Sequence, residues 1–316
     1  MEKSAPILIA GHTGLIGSAF TRLLESRGYT NLLLPGHTEL ELSDALAVDT
    51  YFARHHPEYV VLAAGQSGGI FRNQRFPADL MRANLAIQSS VLDVAQRHQV
   101  RRLIFFASSC MYPRECPQPM TEESLLSGQP EPTSIAYATA KLAGLQLCLA
   151  YNRQYGETRF IPVIPNSVYG PGDNFDPASG HVLSSLLFRF HLAAHTQQEE
   201  IVLWGSGTPR REFLHADDLA EAGLRLLQHE EKGLPPLPIN VGPGQDVSIR
   251  DLATTIAGVT GYRGRITWDT EKPDGAPRKL LDSSRIRTLG WAPRIPLAEG
   301  IQELYAWYCH QVVSSQ

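Results

Sequence analysis

Short apolar runs alternate with longer amphipathic stretches through the first half of the chain. PILIAG at 6–11 reads as a strand, and LIGSAFTRLLESRGY at 15–29 has apolar residues at helical spacing with a glycine near its end. NLLL at 31–34 predicts a second strand, followed by a helix over 44–55. YVVLAA at 59–64 predicts a third strand and 80–98 a long helix, then RLIFFASS at 102–109 and RFIPVIP at 159–165 predict two more strands. Runs that are apolar at consecutive positions are buried on both faces, and strands separated by helices are joined by right-handed crossovers. The pattern therefore predicts an α/β protein with a doubly wound parallel sheet of the Rossmann kind.

Two stretches break the alternation. Residues 113–134, PRECPQPMTEESLLSGQPEPTS, are polar and proline-rich with no period, the mark of a loop over a site. After Tyr169 the chain becomes turn-rich (YGPGDNFDPASG), and short strands at 201–205, 238–242 and 265–269 mix with helices. The expected division is a dinucleotide-binding domain over 1–168 and a smaller mixed α/β lobe for substrate over 169–316, with the chain free to cross back to the sheet.

Composition narrows the partners. The 316 residues are 43% hydrophobic, enough for a full core, and a net charge of −4 with scattered basic residues gives no surface for nucleic acid or anionic membrane. No apolar run approaches the roughly 18 residues of a membrane span, and the opening MEKSAPILIAG lacks a basic region or cleavage site. Cys110, Cys116, Cys148 and Cys309 have no metal-type spacing, so no metal is expected, and they fit a reducing cytoplasm. A small-molecule partner is the expectation.

Gly11, Gly14 and Gly17 stand in GHTGLIG between the first strand and first helix, where glycines give a tight turn and let a pyrophosphate reach backbone N–H groups. A bare structural turn is the competing reading of three glycines alone. The expected cofactor contacts run through Gly11, Thr13, Gly14, Leu15, Ile16 and Gly17, with Ala63 and Ala64 at the end of the third strand and Tyr137 and Lys141 further along the chain. After the second strand, Pro35, Gly36 and His37 offer neither a carboxylate for a ribose diol nor an arginine for a 2′-phosphate, so NAD and NADP both stay open. Tyr137 and Lys141 in YATAK lie four apart on one helix face, where an ammonium can lower a phenol toward neutral pH. A half-buried tyrosine beside a snorkelling lysine is the bland alternative. Serines at the end of the fourth strand, the glycine loop and this pair together point to hydride transfer at a carbinol carbon.

These residues, with GGI, SSCMYP, YNRQYG, YGPGDNF, WGSGTPRREFLHADD, INVG and KPDGAPRKLLD, make the chain resemble the extended short-chain dehydrogenase/reductase family, and within it the GDP-L-fucose synthase branch. The resemblance runs nearly end to end. It implies a 3,5-epimerase/4-reductase of a GDP-4-keto-6-deoxy sugar using NAD(P)H. It gives Ser108, Tyr137 and Lys141 the reductase roles, with the adjacent Ser109 an alternative or a substrate contact. It matches Cys110 to the epimerase cysteine, His181 to its partner histidine, and Arg189, Trp204, Arg211 and Lys279 to nucleotide-sugar contacts. Inverting a carbon beside a ketone needs a base on one face and an acid on the other, which suits Cys110 as base and His181 as acid. A homodimer through 80–98 and 137–155 is also implied. Thr13, Pro35 and His37 stand where that branch carries arginines, Gln66 replaces a lysine, and PNSVYG differs near the sugar pocket. A related hexose or heptose, an epimerase without net reduction, and a non-enzymatic dinucleotide sensor are the alternatives.

Overall fold

The computed structural model describes residues 1–177, 179–229, 236–272 and 274–314. Its first half runs β1 (Ile7–Ala10), α1 (Leu15–Ser26), β2 (Leu32–Leu33), α2 (Ala45–His55), β3 (Tyr59–Leu62), α3 (Ile70–Arg75), α4 (Pro77–Arg97), β4 (Arg102–Phe106), α5 (Ile135–Tyr155) and β5 (Phe160–Pro165). There follow β6 (Ser167–Tyr169), α6 (Val182–His195), β7 (Glu200–Trp204), β8 (Arg210–Arg211), β9 (Phe213–His215), α7 (Ala216–Gln228) and β10 (Ile239–Val241). The last elements are β11 (Val247–Ser248), α8 (Ile249–Thr260), β12 (Arg265–Asp269), β13 (Arg278–Lys279), α9 (Ser284–Thr288) and α10 (Leu297–Ser314).

Six parallel strands form one sheet in the order β10-β5-β4-β3-β1-β2. The chain leaves β1 outward to β2 and then returns to its other side with β3, so the crossovers diverge and leave a crevice at the carboxyl ends of β1 and β3. Alternate residues of the inner strands feed two cores. Ile7, Ile9, Val61, Ile104 and Phe106 pack with α1 and α7, whereas Leu8, Val60, Leu62, Leu103 and Phe105 pack with α2, α4 and α5. A third core, from α6, α8, α10 and β7, fills the smaller lobe.

Details differ from the sequence pattern for local reasons. Only Leu32 and Leu33 of NLLL pair, because Leu34 is followed by Pro35, which has no N–H to extend the ladder. Helix α4 starts at Pro77 rather than at Leu80, since proline at the first helical position loses no hydrogen bond. The INV of PINVG, read among the strands of the later lobe, lies beside β5 in the main sheet. Residues 113–134 are more than a cover over a site. Met120 exchanges main-chain bonds with Leu280 and Asp282, both 2.8 Å, and the Glu122 carboxylate accepts from Asn240 N at 3.0 Å.

Gly223 marks the closest approach of α7 to α1. A Cβ there would lie 2.2 Å from Cζ of the fully buried Phe20. Gly223→Ala should gain about 1 kcal/mol in helix propensity but lose about 1–3 kcal/mol to overpacking. The expected outcome is a lower urea midpoint at unchanged slope; an equal or higher midpoint would mean that Phe20 yields freely.

Candidate active site

Gly11 has φ +86°, and a Cβ on it would meet the backbone of Ala64, 2.7 Å from its nitrogen. A Cβ on Gly17 would sit 2.1 Å from the carbonyl oxygen of Gly11, so the loop folds back on itself with no room for side chains. Gly14 is different: a Cβ there would find only that same oxygen, at 3.5 Å. Gly14 also caps α1 without a side-chain hydrogen bond, and the first turn holds no acidic residue. The first N–H groups of α1 are therefore left for an anion beside an open loop face, which fits the pyrophosphate of a dinucleotide. Ala63 and Ala64 follow β3 directly across the crevice, and Thr13 is exposed on the loop.

Beyond β4 the chain turns through Ser108, whose Oγ accepts from Cys110 N at 3.2 Å. Burial raises the pKa of the Tyr137 phenol, the nearby Cys110 charge adds to the effect, and a hydrogen bond with Ser108 opposes it. Ser108 and Tyr137 thus face each other, with the half-buried thiol of Cys110 close by. The adjacent serine is a correction. Ser109 is buried and donates to Asn166 Oδ1 at 3.1 Å, so it points behind the cleft and not toward a substrate.

Lys141 departs from the expected role in one respect. Its ammonium donates to the carbonyl oxygen of Phe106 at 3.0 Å. Burial lowers its own pKa to about 8. The side chain pins α5 to the end of β4. Asn84 braces the same corner, donating to Gln66 O at 2.8 Å and accepting from Gln66 N at 3.2 Å.

The later lobe supplies a second wall through Arg211, which lies within the electrostatic reach of Cys110. His181 caps the N-terminus of α6, half exposed, with Nδ1 3.6 Å from the buried carboxylate of Asp173. Arg211 and Lys279 are register partners on β8 and β13, which sets two cations side by side. Burial depresses the Arg211 guanidinium, the charge of Cys110 partly restores it, and its Nη1 donates to the carbonyls of Arg210 and Ala276. Arg189 donates to Val202 O at 2.7 Å, two residues before Trp204, which ends β7 with 74% of its surface exposed. Lys272 Nζ lies over the Trp204 ring, 5.9 Å from its centroid, and an exposed indole of this kind can stack on a base.

Sequence reasoning missed the buried network behind this wall. Asn166 donates to Glu212 at 2.8 Å and to Lys279 O at 3.1 Å, and Glu212 also accepts from Gly244 N and Leu281 N. It also missed Asp173, because nothing in the spacing of Asp173 and His181 shows that a loop brings them together.

The model of the NAD dependent epimerase/dehydratase family matches residues 7–242. The chain belongs to this family. It is 48% identical over 316 residues to the probable GDP-L-fucose synthase 1 of Oryza sativa subsp. japonica, covering 100% of this chain and 95% of that protein. It is 47% identical over 308 residues to the GDP-L-fucose synthase of Escherichia coli (strain K12), covering 96% of each. Among solved structures, a GDP-mannoheptose C4 reductase from Campylobacter jejuni with NADP bound matches with a TM-score of 0.89 at 36% identity, over 98% of this chain and 99% of that one. As a member of the family, the chain is an NAD(P)-dependent enzyme of the short-chain dehydrogenase/reductase superfamily.

Within a family member of this kind, the buried amine should carry a stability cost. With Lys141 held near 8 against an ordinary 10.5, its charged form costs on the order of 3 kcal/mol below pH 8. Lys141→Met removes that cost and loses one hydrogen bond worth about 1 kcal/mol. The variant should be more stable than wild type at pH 7 by about 2 kcal/mol. Wild type should close the gap between pH 8 and 10.5, as its native amine loses the proton first. Hydride transfer should be lost. Equal stabilities at pH 7 would show that the amine is not desolvated.

Proposed function

We propose that the chain is an epimerase/reductase of a GDP-4-keto-6-deoxy sugar, in the manner of GDP-L-fucose synthases. The observation that carries the reading is the gathering of Ser108, Cys110 and Tyr137 at the end of β4, beside a glycine cradle and within reach of the Arg211 charge. The identity of 46–48% over at least 96% of this chain to proteins named GDP-L-fucose synthase supports the same substrate class.

A 4-ketone acidifies the hydrogens on C3 and C5. Cys110 takes such a proton from one face, and His181 returns one to the other. Ser108 holds the carbonyl oxygen meanwhile. Bound NAD(P)H supplies the hydride for C4. Tyr137 then gives its proton to the new alkoxide, a role suited to a phenol whose burial and neighbouring thiol keep it protonated. Arg211 and Lys279 take the diphosphate, Trp204 the base, and Arg189 the rim between them.

Gly11, Thr13, Gly14, Leu15, Ile16 and Gly17, with Ala63 and Ala64, form the cofactor side of the proposal, and the NADP in the Campylobacter jejuni reductase supports that occupant. A homodimer through α4 and α5 and a cytoplasmic location complete it. Four free cysteines support that location. No helix among the described residues is long and apolar enough to cross a membrane.

Supplied with GDP-4-keto-6-deoxy-D-mannose and NADPH, the enzyme should form a C3- and C5-inverted product with one NADPH consumed per molecule, read by NMR and 340 nm absorbance. Product without loss of absorbance would instead mean an epimerase that returns its hydride. A GDP-4-keto-heptose tested in parallel should turn over more slowly; faster turnover would move the substrate assignment to the heptose class. In Cys110→Ser, solvent deuterium uptake at C3 and C5 should fall by about two orders of magnitude, and undiminished uptake would assign the base elsewhere.

A further inference from the structure

The loop from Gly170 to Gly180 is built around one carboxylate. Asp173 is almost wholly buried, with 3% of its side chain exposed. Its Oδ1 accepts from Asn174 N at 2.8 Å, and its Oδ2 accepts from the Ser184 hydroxyl one turn into α6. The loop is held from outside as well. Phe175 packs on Tyr308 and Trp307 of α10, with ring centroids 4.7 and 6.1 Å away, and Ser179 O accepts from Gly69 N at 3.1 Å. The carboxylate is therefore fixed before any substrate arrives, with one remaining neighbour to serve: Nδ1 of His181 at 3.6 Å.

Position alone would leave the His181 imidazole with little bound proton to give at neutral pH. It caps the N-terminus of a 14-residue helix, where the exposed N–H groups disfavour a cation. Partial burial works in the same direction. A fixed carboxylate 3.6 Å from Nδ1 opposes both through its charge, and with Nδ1 turned to it, Nε2 is the nitrogen left to meet a ligand.

We propose that Asp173 is the positioning residue of the acid side, fixing the His181 imidazole by Nδ1 so that Nε2 delivers the proton to the enolate carbon. This rests on the reading of His181 as the acid. The proton that leaves Nε2 is regained from solvent at the half-exposed ring, and Asp173 stays ionised throughout. The balance of effects on His181 is upward, with the Asp173 contact the largest cause. The other charged groups nearby are engaged elsewhere: Asp176 accepts from Ser179 N at 3.3 Å, Arg189 donates to Val202 O, and Arg72 donates to Gln66 and Ser67.

The test is a histidine NMR titration of the full chain, with the His181 signal assigned by its loss in His181→Gln, alongside the pH dependence of C3 and C5 inversion. In wild type, His181 should titrate above 6.5; a midpoint below 6.5 overturns the proposal. In Asp173→Asn, checked for fold by NADPH fluorescence, the midpoint should drop by about one pH unit. The high-pH limb of inversion should move with it, and the rate at pH 7.5 should fall about tenfold. If the midpoint and the limb stay in place, Asp173 is merely structural. If His181→Gln itself inverts both carbons at the wild-type rate, the failure lies in the acid assignment and not in the Asp173 contact.

Discussion

The bond from Lys141 to the carbonyl oxygen of Phe106 sets the geometry of the cleft. It joins the second turn of α5 to the last residue of β4 inside the protein, where neither partner can exchange it for water. Tyr137 lies one helical turn earlier on the same face, and Ser108 and Cys110 lie two and four residues beyond Phe106. Fixing one contact therefore fixes the separation of phenol, hydroxyl and thiol. The cost is a desolvated ammonium, and the surrounding parallel sheet, with its two apolar cores, is stable enough to carry it.

The second wall is built by different means and depends on the first. Gly172 has φ +89°, and a Cβ there would come within 3.1 Å of Ser18 Oγ and 3.7 Å of Leu15 Cα, so the loop leading to His181 lies across the start of α1. The segment that carries His181 is thus seated on the glycine loop and the start of α1, while α10 holds it from behind through Phe175. Arg211 occupies the boundary. It is within the electrostatic reach of Cys110, yet it sits on β8, next to Glu212, whose carboxylate links Asn166 and, through it, Ser109. Substrate lobe and strand end are one polar network.

Much of this was legible in the sequence because it follows from period and position. Consecutive apolar residues in β1, β3, β4 and β5 announce a sheet covered on both faces, and Gly11 and Gly17 are required by contacts of backbone on backbone. Tyr137 and Lys141 were found by helical spacing, but the lysine's partner was not, since a main-chain oxygen has no signature in the sequence. Ser108 and Ser109 were indistinguishable until the turn after β4 sent one side chain toward Tyr137 and the other toward Asn166. Asp173, Asn166 and Glu212 escaped for the same reason: each acts through a partner brought near by tertiary folding, across eight residues in one case and dozens in the others. The late strand β10 is legible as a strand, but its local pattern is silent about which sheet it joins, and it is the return of the chain to β5 that settles this.

On the proposed function, one cleft exchanges protons beside a ketone and delivers hydride to that same ketone. Labelling both sources in a single turnover tests it most directly: deuterated NADPH in ordinary water, and ordinary NADPH in deuterium oxide, with the product read by NMR. The account predicts cofactor deuterium at C4 alone in the first case, and solvent deuterium at C3 and C5 but not C4 in the second. Cofactor deuterium reaching C4 while solvent deuterium fails to reach C3 and C5, or solvent deuterium reaching C3 and C5 while cofactor deuterium fails to reach C4, would contradict it.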